Sequence, residues 1–567
     1  MSLEVDMSLF DIFKMSCQFI RHKIEQYSRS TSKTTIINTQ FGQVRGRQRI
    51  TLHNDQELYF AFEGIPFAKP PLGDLRFRAP QPPECWEGVR DCTYPRSKPT
   101  QMYCMLNIAH GSEDCLHLNV YTKKLSSEKP LPVMVWIYSG GFQVGEASKD
   151  MHGPDYFMQK DIVLVTFNHR LGALGFLSLS DPDLNVPGNA GLKDQVMALR
   201  WIHKNITNFN GDSNNITLMG MSSGAASVQI MMTTEQTRGL FHKAILMSGS
   251  SLCHWANDMK YNWPYRLACY LGYIGSNNDK DVLHFLQGAS STQLARCNAI
   301  LSQEDKRDYL LFPFVPTVEP YITEGCVISE PNVNTLSKAW GNEIPVIIGS
   351  TSFEGLFSYQ YVKRDYTHFL SDFKTMIPRE IRETCNLEQL EDHIKQLKLH
   401  SFKDASRDCM EFNECLVLLS MKHFRHAVHR TALARLAYAP RMPTYLYRFD
   451  FDSPTFNFFR LLLCGPDQRG AAHADDFFYM FYGVPAFKVN NTSPEYQTIE
   501  HIINMWTTFA THGNPNYAQA APITWEPLKP DVPQMCLNIG RRLQFIELPE
   551  AKELKLWDSF YDNINLF

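Results

Sequence analysis

The sequence predicts an α/β fold, with a large, mostly parallel central sheet flanked by helices. Three observations predict it. Short apolar runs alternate with helical segments, the order that a sheet covered on both faces requires. The run 133–138 (Val-Met-Val-Trp-Ile-Tyr) is apolar at every position, as a strand buried on both faces must be. Finally, the 567-residue chain shows no internal repeat and no low-complexity linker after about residue 35, so one large unit is expected.

The strands are predicted at residues 133–138, 162–167, 216–219, 243–247, 344–348 and 444–451. Helices are predicted at 191–204, 225–233, 387–397, 412–438 and 494–511. The longer helical stretches after residue 255 read as insertions on strand ends, placed to wall a pocket. Residues 1–30 form a separate feature. At about 100° per residue, Leu9, Phe10, Phe13, Cys17, Ile20, Ile24 and Tyr27 share one side, opposite Asp11, Lys14, Gln18, Arg21 and Glu25. This predicts an amphipathic helix ahead of a single domain over 31–567. The helix either lies in a membrane or lipid-droplet surface or packs on its own domain or a partner.

Bulk properties narrow the class. The charged fraction is 20 %, the hydrophobic fraction 44 % and the net charge −4, with no basic excess to neutralise phosphates, which argues against nucleic acid. The 14 cysteines are scattered and form no C-x-x-C pair, so neither a zinc nor a redox motif is expected. They fit a reduced compartment, although an even count permits disulfides. Residues 1–30 lack the apolar run and cleavage site of a secretory signal, and no later run reaches the ~18 apolar residues of a spanning helix. The expected location is therefore intracellular: cytoplasmic or peripheral on a membrane or droplet, and not secreted.

The strongest chemical signal is Gly220-Met221-Ser222-Ser223-Gly224, between the strand-like Asn215-Ile-Thr-Leu-Met219 and the helix-forming Ala225-Ala-Ser-Val-Gln229. G-x-S-x-G on a sharp strand-to-helix turn is a nucleophile elbow, the feature of an α/β-hydrolase sheet, with Ser222 presented above the strand ends. Ser223 occupies the second variable position. Upstream, Tyr138-Ser139-Gly140-Gly141-Phe142 follows the apolar strand. Acyl transfer builds negative charge on a carbonyl oxygen, and glycines let backbone N–H groups approach it. The N–H groups of Gly140, Gly141 and Ser223 are the oxyanion-hole candidates, although two glycines alone also suit a plain turn. The base must be a histidine oriented by a carboxylate, in the chain order Ser, acid, His. With 19 histidines, spacing selects none. His473, in Gly470-Ala-Ala-His473-Ala-Asp-Asp, and Glu354, in Gly349-Ser-Thr-Ser-Phe-Glu354-Gly355, are the candidates best placed on segments after strands.

Further motifs carry a resemblance. They are Phe62-Glu-Gly-Ile-Pro-Phe-Ala-Lys-Pro-Pro-Leu-Gly-Asp-Leu-Arg-Phe77, Ser112-Glu-Asp-Cys-Leu-His-Leu-Asn-Val120, Arg170-Leu-Gly-Ala-Leu-Gly-Phe176 and Gly188-Asn-Ala-Gly-Leu-Lys-Asp-Gln195. With them, the chain resembles the type-B carboxylesterase/cholinesterase family over about residues 34–560, and within it the intracellular insect α-esterases. The resemblance implies a catalytic triad of Ser222, Glu354 and His473, oxyanion donors Gly140, Gly141 and Ser223, and ion pairs Arg76–Glu113 and Arg170–Asp194. By position it implies that Trp255, Leu310 and Phe312 line the acyl pocket, and Met221, beside the nucleophile, is read with them as a substrate-binding residue. The chain departs from the family at Ser139, which replaces the first of three loop glycines, and at Met221 and Ser223, which replace Glu and Ala. The family's upstream disulfide partner of Cys115 is matched by Lys98, so that bridge is expected to be absent, with Cys104 as the remaining possible partner. No tryptophan between Tyr94 and Cys115 matches the one with which cholinesterases bind a quaternary ammonium.

The resulting expectation is a serine carboxylesterase that hydrolyses uncharged esters of moderate size, in detoxification or lipid-ester metabolism. It would be inhibited by organophosphates and would need no metal or cofactor. Three alternatives remain open: a catalytically weak binding or sequestering protein, motivated by Met221 and Ser139; a lipid-surface lipase or acyltransferase, motivated by the N-terminal helix; and a non-catalytic adhesion protein.

Overall fold

A 13-stranded sheet organises the chain. The structure is a computed structural model. It describes residues 17, 20, 21, 23, 24 and 28–567, apart from 53–56, 104–107, 258–261, 308–310, 365–372, 402–409, 484–488, 531 and 562–565. Most of the predicted N-terminal helix, and Leu310 and Cys104 with it, lie outside the described residues.

Twelve strands form the main path: β1 Ser30–Thr39, β2 Gly42–Ile50, β3 Leu58–Pro66, β4 His117–Thr122, β5 Leu131–Ile137, β6 Val163–Phe167, β7 Gly211–Met221, β8 Lys243–Met247, β9 Val346–Thr351, β10 Thr444–Phe449, β11 Met535–Ile539 and β12 Leu543–Glu547. Their spatial order is β1-β2-β3-β4-β6-β5-β7-β8-β9-β10-β11-β12, and Val89–Asp91 pairs with β2 off this path. From β6 to β11 every pairing is parallel. Antiparallel strands close both ends.

Strand parity explains the uninterrupted apolar runs. Successive side chains point to opposite faces. In β5, Val133, Val135 and Ile137 enter one core, and Met134 and Trp136 enter the other. In β7 and β8, Leu218 and Leu246 join the first core, and Met219 and Met247 the second. Helix α1 (Ala190–Asn205) and helix α2 (Ser223–Thr233) cover the first face. The helix Pro494–His512 covers the second with Ile499, Ile503 and Trp506.

Two boundaries move for physical reasons. The strand predicted at 344–348 is observed at Val346–Thr351. Pro345 has no N–H to give the ladder, so pairing begins after it. The helix predicted at 412–438 is one α-helix from Phe412 to Ser420, a π-helical turn Met421–Arg425, and a second α-helix His426–Tyr438. Such turns are frequent at functional sites, and this one carries Phe424, which packs on His473.

Both implied ion pairs are formed. Arg76 grips Glu113 through Nε and Nη2 at 2.7 and 2.5 Å. The Arg170 guanidinium bridges both Asp194 oxygens at 2.8 and 2.7 Å, and its backbone N–H adds a third contact at 3.0 Å. Asp194 is on α1 and Arg170 follows β6, so the pair ties helix to sheet. Cys115 is a buried free thiol.

Candidate active site

The site is built on the C-terminal ends of β7, β8 and β9. Register places Met221 beside Met247, and Met247 beside Gly349. The residues that follow, Ser222, Ser248 and Ser350 with the turn after β9 just beyond it, therefore emerge at one end of the sheet.

Ser222 adopts φ 56° and ψ −121°, a region that costs a non-glycine residue on the order of 1–3 kcal/mol. Its surroundings enforce this. Its N–H donates to the Met247 carbonyl at 2.8 Å, and its own carbonyl accepts from Ala226 N–H at 3.0 Å as α2 begins. The flanking glycines are needed for close approach. A Cβ on Gly224 would lie 2.2 Å from the Ile137 carbonyl oxygen, and one on Gly220 would lie 2.5 Å from the Gly224 carbonyl carbon. The turn thus wedges between neighbouring strand ends.

After β5 the chain turns through Tyr138–Phe142. Gly140 has φ 124°, and a Cβ there would lie 2.0 Å from the Val144 carbonyl oxygen. The Gly140 carbonyl accepts from Gln143 and Val144 N–H at 3.0 and 3.1 Å. The Tyr138 hydroxyl donates to the His169 carbonyl at 2.9 Å, and the two rings stack at 4.4 Å, fixing the root of the loop. Among the described residues, no hydrogen bond engages the N–H of Gly140, Gly141 or Ser223.

Glu354 is fully buried at the turn after β9. One carboxylate oxygen accepts from Thr351 N–H at 2.7 Å, and the other meets His473 Nδ1 at 2.5 Å. Burial alone would raise its pKa. The His473 charge and the hydrogen bonds outweigh this and hold it below the usual 4.5. With Nδ1 donating to Glu354, Nε2 is left as the lone-pair nitrogen, the tautomer a general base requires. The His473 segment is itself clamped. Phe353 N–H donates to the Ala471 carbonyl at 2.9 Å, and Asp475 accepts from the N–H groups of Ala472, Phe459 and Arg460 at 2.7, 3.0 and 3.1 Å. Burial pushes the Asp475 and Asp476 carboxyls up to about 7.

Two aromatic rings that sequence reading did not single out hold the imidazole. Phe424 stacks on it at 4.1 Å and 24°, and Phe357 meets it edge-on at 5.3 Å. Phe424 sits on the π-helical turn, which no periodicity signals. Of the residues read as pocket lining, Phe312 lies against the 138–142 loop, since a Cβ on Gly141 would fall 2.4 Å from its ring. Trp255 is buried, packs on Phe424 at 5.9 Å and donates its indole N–H to the His423 carbonyl at 2.8 Å. Met221 is not at an open surface. It is 1 % exposed in the core that also holds Met219, Met247 and Trp506, because its strand parity turns it to the face opposite α2. This corrects its reading as a substrate-binding residue.

Residues 33–557 match the model of the carboxylesterase family. Esterase B1 of Culex pipiens is 37 % identical over 540 residues, covering 94 % of this chain and 99 % of that protein. Juvenile hormone esterase of Tribolium castaneum is 32 % identical, covering 89 % of this chain and 87 % of that protein. The crystal structure of juvenile hormone esterase from Manduca sexta, with OTFP covalently attached, superposes with a TM-score of 0.81 at 28 % identity, covering 94 % of this chain and all of that one.

The depressed pKa of Glu354 makes a stability prediction. Ionisation of a carboxyl whose folded pKa lies below its unfolded value stabilises the fold fully above the usual 4.5, and that contribution is lost as pH falls through the lower folded value. In urea unfolding, the stability gap between the wild-type protein and Glu354→Gln should therefore narrow as pH drops from about 6 to about 3. A gap that stays constant or widens contradicts the assignment.

Proposed function

The chain belongs to the carboxylesterase family and is a carboxylic ester hydrolase, and from this premise we propose that it cleaves uncharged esters of moderate size through an acyl-enzyme on Ser222. The observation that carries this reading is the 2.5 Å Glu354–His473 contact at the end of the sheet where Ser222 is held in its strained turn.

His473 Nε2 takes the Ser222 hydroxyl proton as Oγ attacks the ester carbonyl. The N–H groups of Gly140, Gly141 and Ser223 stabilise the oxyanion, a contribution of about 3–4 kcal/mol per well-placed donor. The imidazolium then protonates the departing alkoxide. In the second half, Nε2 draws a proton from water, whose oxygen attacks the acyl carbon and frees the acid and Ser222. Glu354 keeps the ring in its working tautomer and offsets the imidazolium charge. The aromatic surroundings, Phe312, Phe357, Phe424 and Trp255, favour uncharged, apolar acyl groups. Organophosphates fit the same reading, since a tetrahedral phosphorus would be attacked by Ser222. Such substrates and inhibitors suit detoxification or lipid-ester metabolism.

Met221 and Ser139 do not disturb the backbone donors. Met221 is sealed in the core, and the loop conformation is set by Gly140. This favours turnover over simple sequestration.

Two observations bear on location. The twelve described cysteines in the free state suit a reducing compartment. Ile20 and Ile24, both helical, are 58 % and 66 % exposed, so an apolar face near the N-terminus is turned outward, as an interfacial anchor requires. Among the described residues, no helix is long and apolar enough to cross a membrane.

Ser222→Ala should lower hydrolysis of a naphthyl ester by about 10⁴-fold or more, and a fluorophosphonate adduct should map to Ser222. Near-normal turnover in that variant, or an adduct elsewhere, overturns the assignment. In cell fractionation the protein should stay out of the medium and float with lipid droplets or microsomes, and deleting residues 1–30 should release it to the soluble fraction. Secretion, or flotation unchanged by the deletion, contradicts the location.

A further inference from the structure

The loop that carries Gly140 and Gly141 leaves β5 at Tyr138 and ends at Gly145. Its two ends lie on each other. Gly145 has φ 136°, and a Cβ there would collide with the Tyr138 ring and the Ser139 carbonyl oxygen. Between the ends the turn is tight, with the Gly140 carbonyl accepting from the N–H groups of Gln143 and Val144. A displacement at Gly145 therefore reaches Ser139 and Gly140 by direct contact. The outer shoulder of the loop is held separately. Gly172 N–H donates to the Phe142 carbonyl at 2.7 Å, and the Gln143 amide donates to the Phe314 carbonyl at 2.7 Å.

The exit of the loop is held by a side chain 44 positions away. Gln101 lies on the short strand Gln101–Tyr103, which pairs with Ile108–His110, and it is buried. Its Nε2 donates to the Gly145 carbonyl at 2.7 Å, and its Oε1 accepts from the Gly145 N–H at 2.8 Å. The side-chain amide thus pairs with Gly145 as a neighbouring strand would. The second Nε2 hydrogen goes to the Pro99 carbonyl at 3.0 Å. These three bonds fix which way the amide faces, because the reverse orientation would set its oxygen against two carbonyls. The residue type matters. An ionised carboxylate has no hydrogen to give Gly145, and an ammonium has no lone pair. Beside Gln101, Lys98 meets Glu146 at 2.6 Å, but the Lys98 side chain is 36 % exposed, and pairs of that kind contribute little.

Oxyanion donors are effective when they are in place before the charge develops, and a misplacement of about 1 Å can cost on the order of 100-fold in rate. An apolar side chain at 101 would surrender both Gly145 groups to water and free the exit of the loop. We propose that Gln101 is a positioning residue of the oxyanion hole: its amide, paired with both backbone groups of Gly145, holds the Gly140 and Gly141 N–H groups where the oxyanion forms. This rests on the hydrolase reading and on the role given there to those N–H groups.

The test compares wild-type protein with Gln101→Met and Gln101→Leu, which keep the bulk of the side chain and remove its hydrogen bonds. Naphthyl-ester hydrolysis is measured per serine titrated with a fluorophosphonate, so molecules that fail to fold drop out of the count and the second variant covers poor yield of the first. A trifluoromethyl ketone is the second probe. Ser222 Oγ adds to its carbonyl carbon, the hydroxyl proton passes to His473, and the carbonyl π pair moves onto oxygen, giving an anionic hemiketal that needs the same N–H groups. The matching trifluoromethyl carbinol has the shape without a carbonyl to attack. In both variants kcat should fall about 10- to 100-fold with KM within about 3-fold. Ketone affinity should fall by a similar factor, and carbinol affinity should stay within about 3-fold. Lys98→Met, which breaks the neighbouring half-exposed pair, should keep kcat within about 2-fold. The proposal is overturned if the Gln101 variants lose thermal stability but keep kcat per titrated serine, if ketone and carbinol weaken equally, or if Lys98→Met is as slow as Gln101→Met. An active, Ser222-dependent wild type beside an unimpaired Gln101→Met sinks this proposal alone. A wild type that hydrolyses no ester, or no faster than Ser222→Ala, removes the hydrolase reading and this proposal with it.

Discussion

A carboxylate sealed from water stays ionised only where the protein replaces the water it has lost. For Glu354 the replacement is the Thr351 N–H on one oxygen and His473 Nδ1 on the other. Removing either donor would leave a buried charge with a cost of several kcal/mol. The contact joins residues 119 positions apart, and much of the surrounding architecture serves it. The parallel register of β7, β8 and β9 brings three strand ends together. Asp475 ties the histidine loop to the backbone at three points. Phe424 and Phe357 leave the imidazole little freedom to turn. The catalytic proposal depends on this rigidity, because a base that wanders loses most of its advantage.

The serine side of the site is governed by steric constraint and the acid–base side by electrostatics. Ser222 has its positive φ because α2 must start where β7 ends, and Gly220 and Gly224 permit the close packing that results. The loop at 138–142 is shaped the same way, by Gly140 against Val144. These are backbone properties, which explains why the unusual side chains at Ser139 and Met221 leave the geometry intact.

What was legible in the sequence follows from this division. Backbone-driven features carry local signatures. The all-apolar run of β5, the glycines around Ser222 and the turn residues after β9 predicted their elements and candidate residues directly. Features created by distant chain segments did not. His473 could not be separated from eighteen other histidines by spacing, and only the resemblance paired it with Glu354. Phe424 looked like any core aromatic, because the π-helical turn that aims it leaves no periodic trace. Met221 was misread because it adjoins Ser222, the candidate nucleophile, whereas strand parity sends adjacent side chains to opposite faces. The shift of β9 past Pro345 was readable in principle from the missing N–H of proline.

The central claim is that Glu354 works only through His473. The most direct test is the rate of naphthyl-ester hydrolysis in Glu354→Ala, His473→Ala and the double variant. If the two residues act as one unit, the double variant is no slower than His473→Ala alone, within about 3-fold. If the two losses multiply instead, Glu354 acts independently of the imidazole, and the account built on their contact is wrong.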